Sequence, residues 1–218
     1  MATDEAALVT RSRRAALLHG IYVILNEQAR VLALADAALD GGVRVLQYRA
    51  KAGIDAAHLQ QLRERTRARG ALLLVNDDWR AALAFDCDGV HLGPDDDGFA
   101  LAALRAALGD RLIGLSCGTV EEAARANASD VDYLGVGAVY ATGSKADAGE
   151  PIGLAGLQRV AAASRYPVAA IGGIGAAQLD EVRASGVAMA AVISAFAGAD
   201  DPRAAARMLV ERWHAGRP

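Results

Sequence analysis

The sequence predicts an α/β fold, a single (β/α)8 TIM barrel with a short N-terminal helix. Eight short apolar segments alternate with segments of helical Ala/Leu spacing, the order typical of parallel strands and their crossover helices. The length of 218 residues suits one barrel, and a hydrophobic content of 53% is enough for its core. We therefore expect one domain over residues 1–218, with residues 1–10 as a loose tail.

The predicted strands are short apolar runs bounded by glycine or polar residues. In chain order they span residues 20–25, 43–48, 71–75, 88–92, 111–116, 131–136, 167–171 and 187–193. The predicted helices span residues 11–19, 27–39, 54–69, 78–85, 99–108, a segment that begins at Thr119, and residues 154–163, 176–185 and 202–214. Glycines follow the second and third helices, and Thr119 with Glu122 forms a capping box. The first helix is expected to cover the bottom of the barrel.

Charge and composition narrow the class of protein. A net charge of −3 gives no basic surface for nucleic acid, so a bound anion must be held by a few placed cations. No apolar run has the length of a membrane span, and the N-terminal residues lack the apolar region of a signal peptide. Cys87 and Cys117 lack metal-site spacing and are expected to be buried, reduced thiols in the cytoplasm. The predicted partners are small-molecule substrates, without nucleic acid or membrane, and self-association into a homo-oligomer stays open.

Carboxylates follow two neighbouring strands at the points where those strands end. Asp77 follows the third strand and Asp96 follows the fourth. Because the carboxyl ends of barrel strands share the face that carries active sites, these two side chains are predicted to hold one Mg²⁺ ion. The adjacent Asp78, Asp95 and Asp97 are interpreted instead as helix caps and solvated turn residues.

The second strand alternates in a way that places cations at the mouth of the barrel. Gln47 and Arg49 share the parity that faces the interior, with Lys51 on the rim, whereas Tyr48 has the opposite parity and meets the helices. An inward arginine needs an anion. One interpretation is a structural ion pair with Asp77 or Glu27. The sharper one is a bound phosphate or diphosphate, which arginine and lysine recognise well.

Other strand ends add to this predicted diphosphate site. Asn76 shares inward parity on the third strand, and the hydroxyl of Ser116 ends the fifth strand. The loop after the sixth strand is rich in small residues and contributes Lys145. This loop is interpreted either as a lid over a ligand or as a flexible surface loop with a solvated lysine.

A second anion site is predicted after the seventh and eighth strands. The seventh strand ends in Gly172-Gly173, which leaves backbone N–H groups unobstructed, and the eighth ends in Ile193-Ser194. Barrels often bind a phosphate group with the loops after these two strands. No Ser/His/Asp or Cys/His triad is evident, and His91 is open between an active-site and a core role.

Several motifs together resemble one known family. They are Gln47-Tyr-Arg-Ala-Lys51, Asn76-Asp-Asp78, Asp88-Gly-Val-His-Leu-Gly93 with Asp96, Gly114-Leu-Ser116, Gly137-Ala-Val-Tyr-Ala-Thr-Gly-Ser-Lys145, Pro151-Ile-Gly-Leu154 and Ile171-Gly-Gly-Ile174. In this order and spacing the chain resembles the thiamine-phosphate synthase family of small barrels from Gly20 onward.

The resemblance implies a reaction. A hydroxymethylpyrimidine diphosphate loses diphosphate to give a pyrimidine methyl cation, and the nitrogen of a thiazole phosphate, often carboxylated, captures this cation. The implied catalytic residues are Arg49, Lys51, Lys145 and Ser116. The implied pyrimidine diphosphate site comprises Gln47, Tyr48, Arg49, Ala50, Lys51, Asn76, Ser116 and Lys145. The implied thiazole phosphate site comprises Thr142, Gly143, Ser144, Gly173, Ile193 and Ser194, and the implied Mg²⁺ ligands are Asp77 and Asp96.

Some positions depart from the family pattern. They are Asn26, Pro94, Gly118, Ala141 and Ser144. Three alternatives follow: a related thiazole tautomerase, a non-catalytic barrel that binds a thiamine precursor, and another phosphate-binding isomerase. The tautomerase uses a histidine where this chain has Gly118 and lacks the glutamine that Gln47 supplies, so the synthase is favoured.

Overall fold

The computed structural model describes residues 10–93, 101–143 and 150–215. In this part of the chain eight parallel strands form a closed barrel in sequence order, with the eighth paired to the first. Helices connect the strands around the outside. The predicted (β/α)8 fold is therefore confirmed, while the predicted loose tail lies outside the described residues except for Thr10.

Most elements lie within a few residues of their predicted positions. The strands are β1 Gly20–Asn26, β2 Val45–Arg49, β3 Leu72–Asn76, β4 Gly89–Leu92, β5 Leu112–Cys117, β6 Tyr133–Val136, β7 Val168–Ile171 and β8 Met189–Val192. The helices are α1 Arg11–Ala15, α2 Val31–Asp40, α3 Ala56–Ala68, α4 Trp79–Ala84, α5 Leu101–Leu108, α6 Val120–Ala126, α7 Gly153–Ala163, α8 Leu179–Ala184, α9 Ser194–Ala197 and α10 Pro202–His214.

Three local predictions need correction. The helix predicted from residue 27 begins only at Val31, because the Glu27 N–H instead bonds to the Arg49 carbonyl oxygen and extends the strand pairing. The helix predicted over 176–185 begins as a 3₁₀ turn, Ala176–Gln178. The short helix α9 follows β8 at a place where no helix was predicted, since four residues are too few to show a period.

Strand alternation divides the core into two layers. Inward side chains fill the barrel: Tyr22, Ile24, Val45, Leu72, Leu74, Leu112, Tyr133, Ala169, Met189 and Ala191. Outward side chains such as Leu46, Leu73 and Val90 pack under the helices. The predicted parity of β2 and β3 is therefore confirmed, and it directs the last inward residue of each strand toward the mouth.

Helix starts are fixed by the predicted type of cap. Asp78 accepts the Ala81 N–H at the start of α4, so its interpretation as a capping residue is confirmed. Thr119 and Glu122 form the predicted capping box of α6. Asp95 and Asp97 lie outside the described residues. These caps leave Asp77 as the described carboxylate between β3 and α4 that does not serve a helix start.

Helix α1 closes the bottom of the barrel through buried ion pairs. Asp88 accepts from Arg14 Nε at 3.1 Å, from Arg63 at 3.0 Å and from the Leu73 N–H at 3.0 Å. A second aspartate, Asp132, accepts from Arg11 and Arg105 in the same manner. The predicted role of this helix as a cover for the barrel bottom is confirmed. In the described residues, no helix has the length and apolar character needed to cross a membrane.

Candidate active site

A cavity of about 390 Å³ opens at the carboxyl ends of the strands. It brings together eight of the predicted site residues, namely Gln47, Arg49, Asn76, Ser116, Thr142, Gly173, Ile193 and Ser194. These residues are far apart in the sequence and meet because parallel barrel strands present their last inward side chains to one face. The cavity walls also include Ile24, Ile152, Ile171 and Ala191, so the space suits a ligand with an apolar ring and polar ends.

Arg49 ends β2 and directs its guanidinium into this cavity. Its hydrogen-bond partner is the neutral amide oxygen of Asn26, at 3.1 Å. The expected structural ion pairs are absent among the described residues: Asp77 pairs with Lys51, and the other nearby carboxylate, Glu27, accepts from Tyr48 and contacts His58. A half-buried guanidinium beside a neutral partner favours an external anion, because an uncompensated charge is costly to bury.

Asp77 and Lys51 form an ion pair on the rim beside the cavity. Lys51 Nζ lies 2.8 Å from Asp77 Oδ2, and Asn76 Nδ2 donates to the same oxygen at 2.5 Å. Asp77 has a φ of 64°, and its N–H donates to the His91 carbonyl oxygen of β4. This left-handed turn, which aspartate tolerates, positions the carboxylate next to Asn76, a cavity residue.

The Asp77 carboxylate and the Asn76 amide carry oxygen donors of the kind that a hard cation prefers. In residues 10–93, 101–143 and 150–215, no three His, Cys, Asp or Glu side chains converge as a metal site. Asp77 offers one carboxylate, which is neutralised by the exposed ammonium group of Lys51. That chemistry fits Mg²⁺, which often takes one or two carboxylates and fills its other positions with water and phosphate oxygens.

Two predicted residues point away from the cavity. The Tyr48 ring is fully buried in the outer layer, where its hydroxyl donates to Glu27 and accepts from the Asp55 N–H at 3.2 Å. Ala50 also packs against the outer layer. The outward orientation of Tyr48, predicted from strand alternation, is therefore confirmed, and its side chain supports the β2 end that carries Arg49. The assignment of Tyr48 and Ala50 to the pyrimidine diphosphate site stays a prediction.

Of the remaining predicted site residues, the structure describes some and not others. Gly143 is described but is not among the residues that line the cavity. Ser144, Lys145 and Asp96 lie outside the described residues, so their roles stay predictions. Thr142, which the structure places on the cavity wall, precedes the segment that contains Ser144 and Lys145.

The Gly172-Gly173 turn forms the opposite end of the cavity. Both residues have positive φ, 101° and 65°. Backbone hydrogen bonds tie this turn to the loop after β6, including Tyr140 N–H to the Gly172 carbonyl oxygen at 3.0 Å. A Cβ added at Gly172 would lie 2.6 Å from the Ala138 Cα, so only glycine allows this approach. The second predicted anion site thus has its glycines where backbone geometry requires them.

Sequence reasoning missed two tyrosines inside the barrel. Tyr22 lines the cavity and Tyr133 lies directly behind it, next to His91, whose role the sequence left open and which also lines the cavity. Glu122, predicted for the capping box of α6, borders the same cavity. Strand alternation could have identified Tyr22, because it lies two residues before Ile24 and therefore faces the same side of β1. Cys117 also borders the cavity, but burial raises the pKa of its thiol to about 11, so it is protonated at neutral pH and is a poor nucleophile.

Comparisons with known proteins agree with this geometry. The family model for thiamine monophosphate synthase matches residues 21–196. The chain is 44% identical over 220 residues to a thiamine-phosphate synthase of Anaeromyxobacter dehalogenans, covering 100% of this chain and 97% of that protein. It is 47% identical over 182 residues to a bifunctional thiamine biosynthesis protein of Symbiobacterium thermophilum, covering 81% of this chain and 37% of the relative. A solved thiamine phosphate pyrophosphorylase from Pyrococcus furiosus superposes with a TM-score of 0.81 at 36% identity, covering 90% of this chain and 96% of that one.

Proposed function

The chain belongs to the thiamine monophosphate synthase family, and we propose that it joins a pyrimidine diphosphate to a thiazole phosphate. The substrates are 4-amino-2-methyl-5-(diphosphooxymethyl)pyrimidine and the thiazole phosphate or its carboxylated form. The products are thiamine phosphate and diphosphate, so the activity is that of a transferase in thiamine biosynthesis. The observation that carries this proposal is the Arg49 guanidinium, which faces the cavity and, within the described residues, bonds to the neutral Asn26 amide.

The reaction separates charge, and the cavity has the groups to stabilise it. The bond between the pyrimidine methylene carbon and the diphosphate oxygen breaks, and diphosphate leaves with the electron pair. The thiazole nitrogen then donates its lone pair to the methylene carbon. Arg49, Lys51 and Lys145 would neutralise the leaving diphosphate, and Ser116 would donate a hydrogen bond to it. Apolar wall residues such as Ile171 and Ile193 would limit the water available to intercept the cation.

The Lys51–Asp77 ion pair lies on the rim where the metal ion and the diphosphate would bind. Asp77, with Asp96, would hold Mg²⁺, and the diphosphate would supply further oxygens. When bound, the metal neutralises charge on the leaving group and favours its departure. In this structure the Asp77 carboxylate that would hold the metal forms an ion pair with the Lys51 ammonium. Lys51 would contact the diphosphate from the same rim.

The other end of the cavity would bind the phosphate of the thiazole. The backbone of Gly173 and the hydroxyl of Ser194 lie there, together with Thr142. Ser144 is proposed to join them from the adjoining loop. This arrangement keeps the two anions at opposite ends of the cavity, with the apolar ring space between them.

Replacing Gly172 with alanine is expected to weaken thiazole phosphate binding selectively. The added Cβ would collide with the Ala138 backbone and require a φ of 101°, so the turn must shift. We expect the KM for thiazole phosphate to rise roughly 10-fold, equivalent to about 1.4 kcal/mol, with a smaller change for the pyrimidine diphosphate. Steady-state kinetics with each substrate varied in turn will measure this.

Gly186→Ala is the matched control for that variant. Gly186 also has a positive φ, 81°, but its Cβ would meet nothing within 4 Å, and it precedes β8 at the opposite end of the barrel. This variant carries the backbone strain without the collision. Equal rises in KM for both substrates in Gly172→Ala, or the same rise in Gly186→Ala, would contradict the assignment of this turn.

Cytoplasmic location and assembly into a homo-oligomer stay predictions. Cys87 and Cys117 are free, buried thiols. They support the cytoplasmic location, because oxidising compartments favour paired cysteines. Sedimentation of the purified chain will decide its oligomeric state.

The direct test of the proposed function is product formation. The purified chain is incubated with the pyrimidine diphosphate, Mg²⁺ and either plain or carboxylated thiazole phosphate, and the mixture is analysed by mass spectrometry. We expect thiamine phosphate and an equal amount of diphosphate, both lost when Mg²⁺ is chelated. Arg49→Met, which keeps side-chain volume but removes the charge, is expected to form little product. Absence of thiamine phosphate with both thiazoles would refute the proposal.

A further inference from the structure

Five inward side chains on different strands form one continuous hydrogen-bond chain below the cavity, here called the polar chain. Gln47 Nε2 donates to the Tyr22 hydroxyl at 2.6 Å, which lies 3.0 Å from the Tyr133 hydroxyl. Tyr133 is 2.8 Å from His91 Nδ1, and His91 Nε2 is 3.1 Å from Ser116 Oγ. The polar chain therefore links a residue of the proposed pyrimidine site to the proposed hydroxyl donor at the leaving group.

Two glycines create the space that the polar chain occupies. A Cβ at Gly114 would lie 2.2 Å from the Tyr133 ring, and one at Gly135 would lie 2.8 Å from the His91 ring. The His91 and Tyr133 ring centroids are 5.4 Å apart across Gly114, which pairs in register with both residues. Backbone positions without side chains thus let two large polar rings fit side by side in an eight-stranded barrel, whose interior is only just wide enough for side chains.

One arrangement of protons runs in the same direction along the whole polar chain, starting from the Gln47 amide. Burial raises the pKa of the Tyr22 and Tyr133 phenols well above the ordinary value, so both remain O–H groups at neutral pH. Either tyrosine hydroxyl can be the donor between Tyr22 and Tyr133. Because Tyr22 already accepts from the Gln47 amide nitrogen, we take its own proton to be directed to Tyr133. Tyr133 then donates to His91 Nδ1, and a neutral His91 must carry its proton on Nε2 and donate to Ser116. The proton of Ser116 is left for the cavity.

We propose that Tyr22 and Tyr133 are positioning residues that fix His91 as the Nε2–H tautomer and thereby direct the Ser116 hydroxyl toward the departing diphosphate. The identity of the acceptor rests on the proposed function, whereas the tautomer of His91 does not. The amide oxygen of Gln47, whose nitrogen is committed to Tyr22, is left to accept from the amino group of the pyrimidine. Pyrimidine recognition and leaving-group stabilisation are therefore two ends of one oriented chain.

The first test observes the tautomer directly in the free protein. Side-chain ¹⁵N NMR of the full chain, with the His91 signals assigned by loss in His91→Gln, is expected to show Nε2 protonated and Nδ1 unprotonated. Tyr133→Phe keeps the ring packing but removes the hydroxyl, so this tautomer preference is expected to be lost. A proton on Nδ1 in the unaltered chain, or an unchanged pattern in Tyr133→Phe, would overturn the proposal.

The second test asks whether Tyr133 acts through Ser116. We expect Tyr133→Phe to lower kcat roughly 10-fold, less than the 10²–10³ of a deleted oxyanion donor, with little change in KM. In a Ser116→Ala background the same substitution is expected to have almost no further effect, whereas a merely structural role would reduce the rate equally in both backgrounds. Tyr22→Phe should show the same dependence on Ser116.

Tyr166→Phe is the matched control, since the Tyr166 hydroxyl bonds to the Ser129 carbonyl oxygen near the start of β7, away from the cavity. Equal losses of kcat in the presence and absence of the Ser116 hydroxyl would overturn the positioning role. A chain that makes no thiamine phosphate would instead refute the proposed function, while the NMR result would still decide the tautomer.

Discussion

Replacing Asp77 with asparagine is expected to abolish most Mg²⁺-dependent turnover. The change removes the carboxylate charge that is proposed to hold the metal and that positions Lys51 at 2.8 Å. Asparagine tolerates the φ of 64° at this position, so the turn after β3 should persist. We expect kcat/KM to fall roughly 10³-fold, the scale of a lost electrostatic group at a developing charge. Initial rates over a Mg²⁺ titration, with circular dichroism to verify the fold, will measure this.

The neighbouring Asp78→Asn variant provides a close control. It makes the same chemical change one residue later, where the carboxylate caps α4 by accepting the Ala81 N–H. Because asparagine caps helices about as well as aspartate, we expect activity within about 2-fold of the unaltered chain. Full turnover in Asp77→Asn at any Mg²⁺ concentration would remove Asp77 from the metal site. Equal losses in both variants would indicate a general disturbance of the segment.

The parts of the site that sequence could predict are those fixed by local geometry. Side chains alternate along a strand because of the backbone itself, so the inward parity of Gln47 and Arg49 needed no tertiary information. The same is true of Asn76 at the end of β3 and of the capping role of Asp78. These predictions needed only the correct identification of each strand and its period.

The polar chain could not be predicted in this way. Tyr22 and Tyr133 are 111 residues apart, and their contact depends on how far successive strands are staggered when the barrel closes. Gly114 and Gly135 matter only once the rings facing them are known. Likewise the Lys51–Asp77 pair depends on a left-handed residue after β3, which the sequence Asn-Asp-Asp does not specify.

Asp88→Asn is expected to destabilise the barrel more than any surface change, without altering the cavity. Asp88 is buried and balances two arginines, Arg14 and Arg63, whose side chains are only 7% and 11% exposed. Removal of its charge takes away the buried carboxylate that Arg14 and Arg63 share, and breaking a buried ion pair typically costs about 3–5 kcal/mol. We expect this loss in the free energy of unfolding, measured by urea denaturation at neutral pH.

The ion pair of Asp130 with Arg11 is the exposed comparison for the buried charge of Asp88. Asp130 lies at the same end of the barrel, but its side chain is 56% exposed, so water and salt screen the pair. Asp130→Asn is therefore expected to cost less than about 1 kcal/mol. A loss of similar size in both variants would mean that Asp88 acts mainly as a hydrogen-bond acceptor for the Leu73 N–H, which asparagine can replace, and that burial of the two arginines does not depend on its charge.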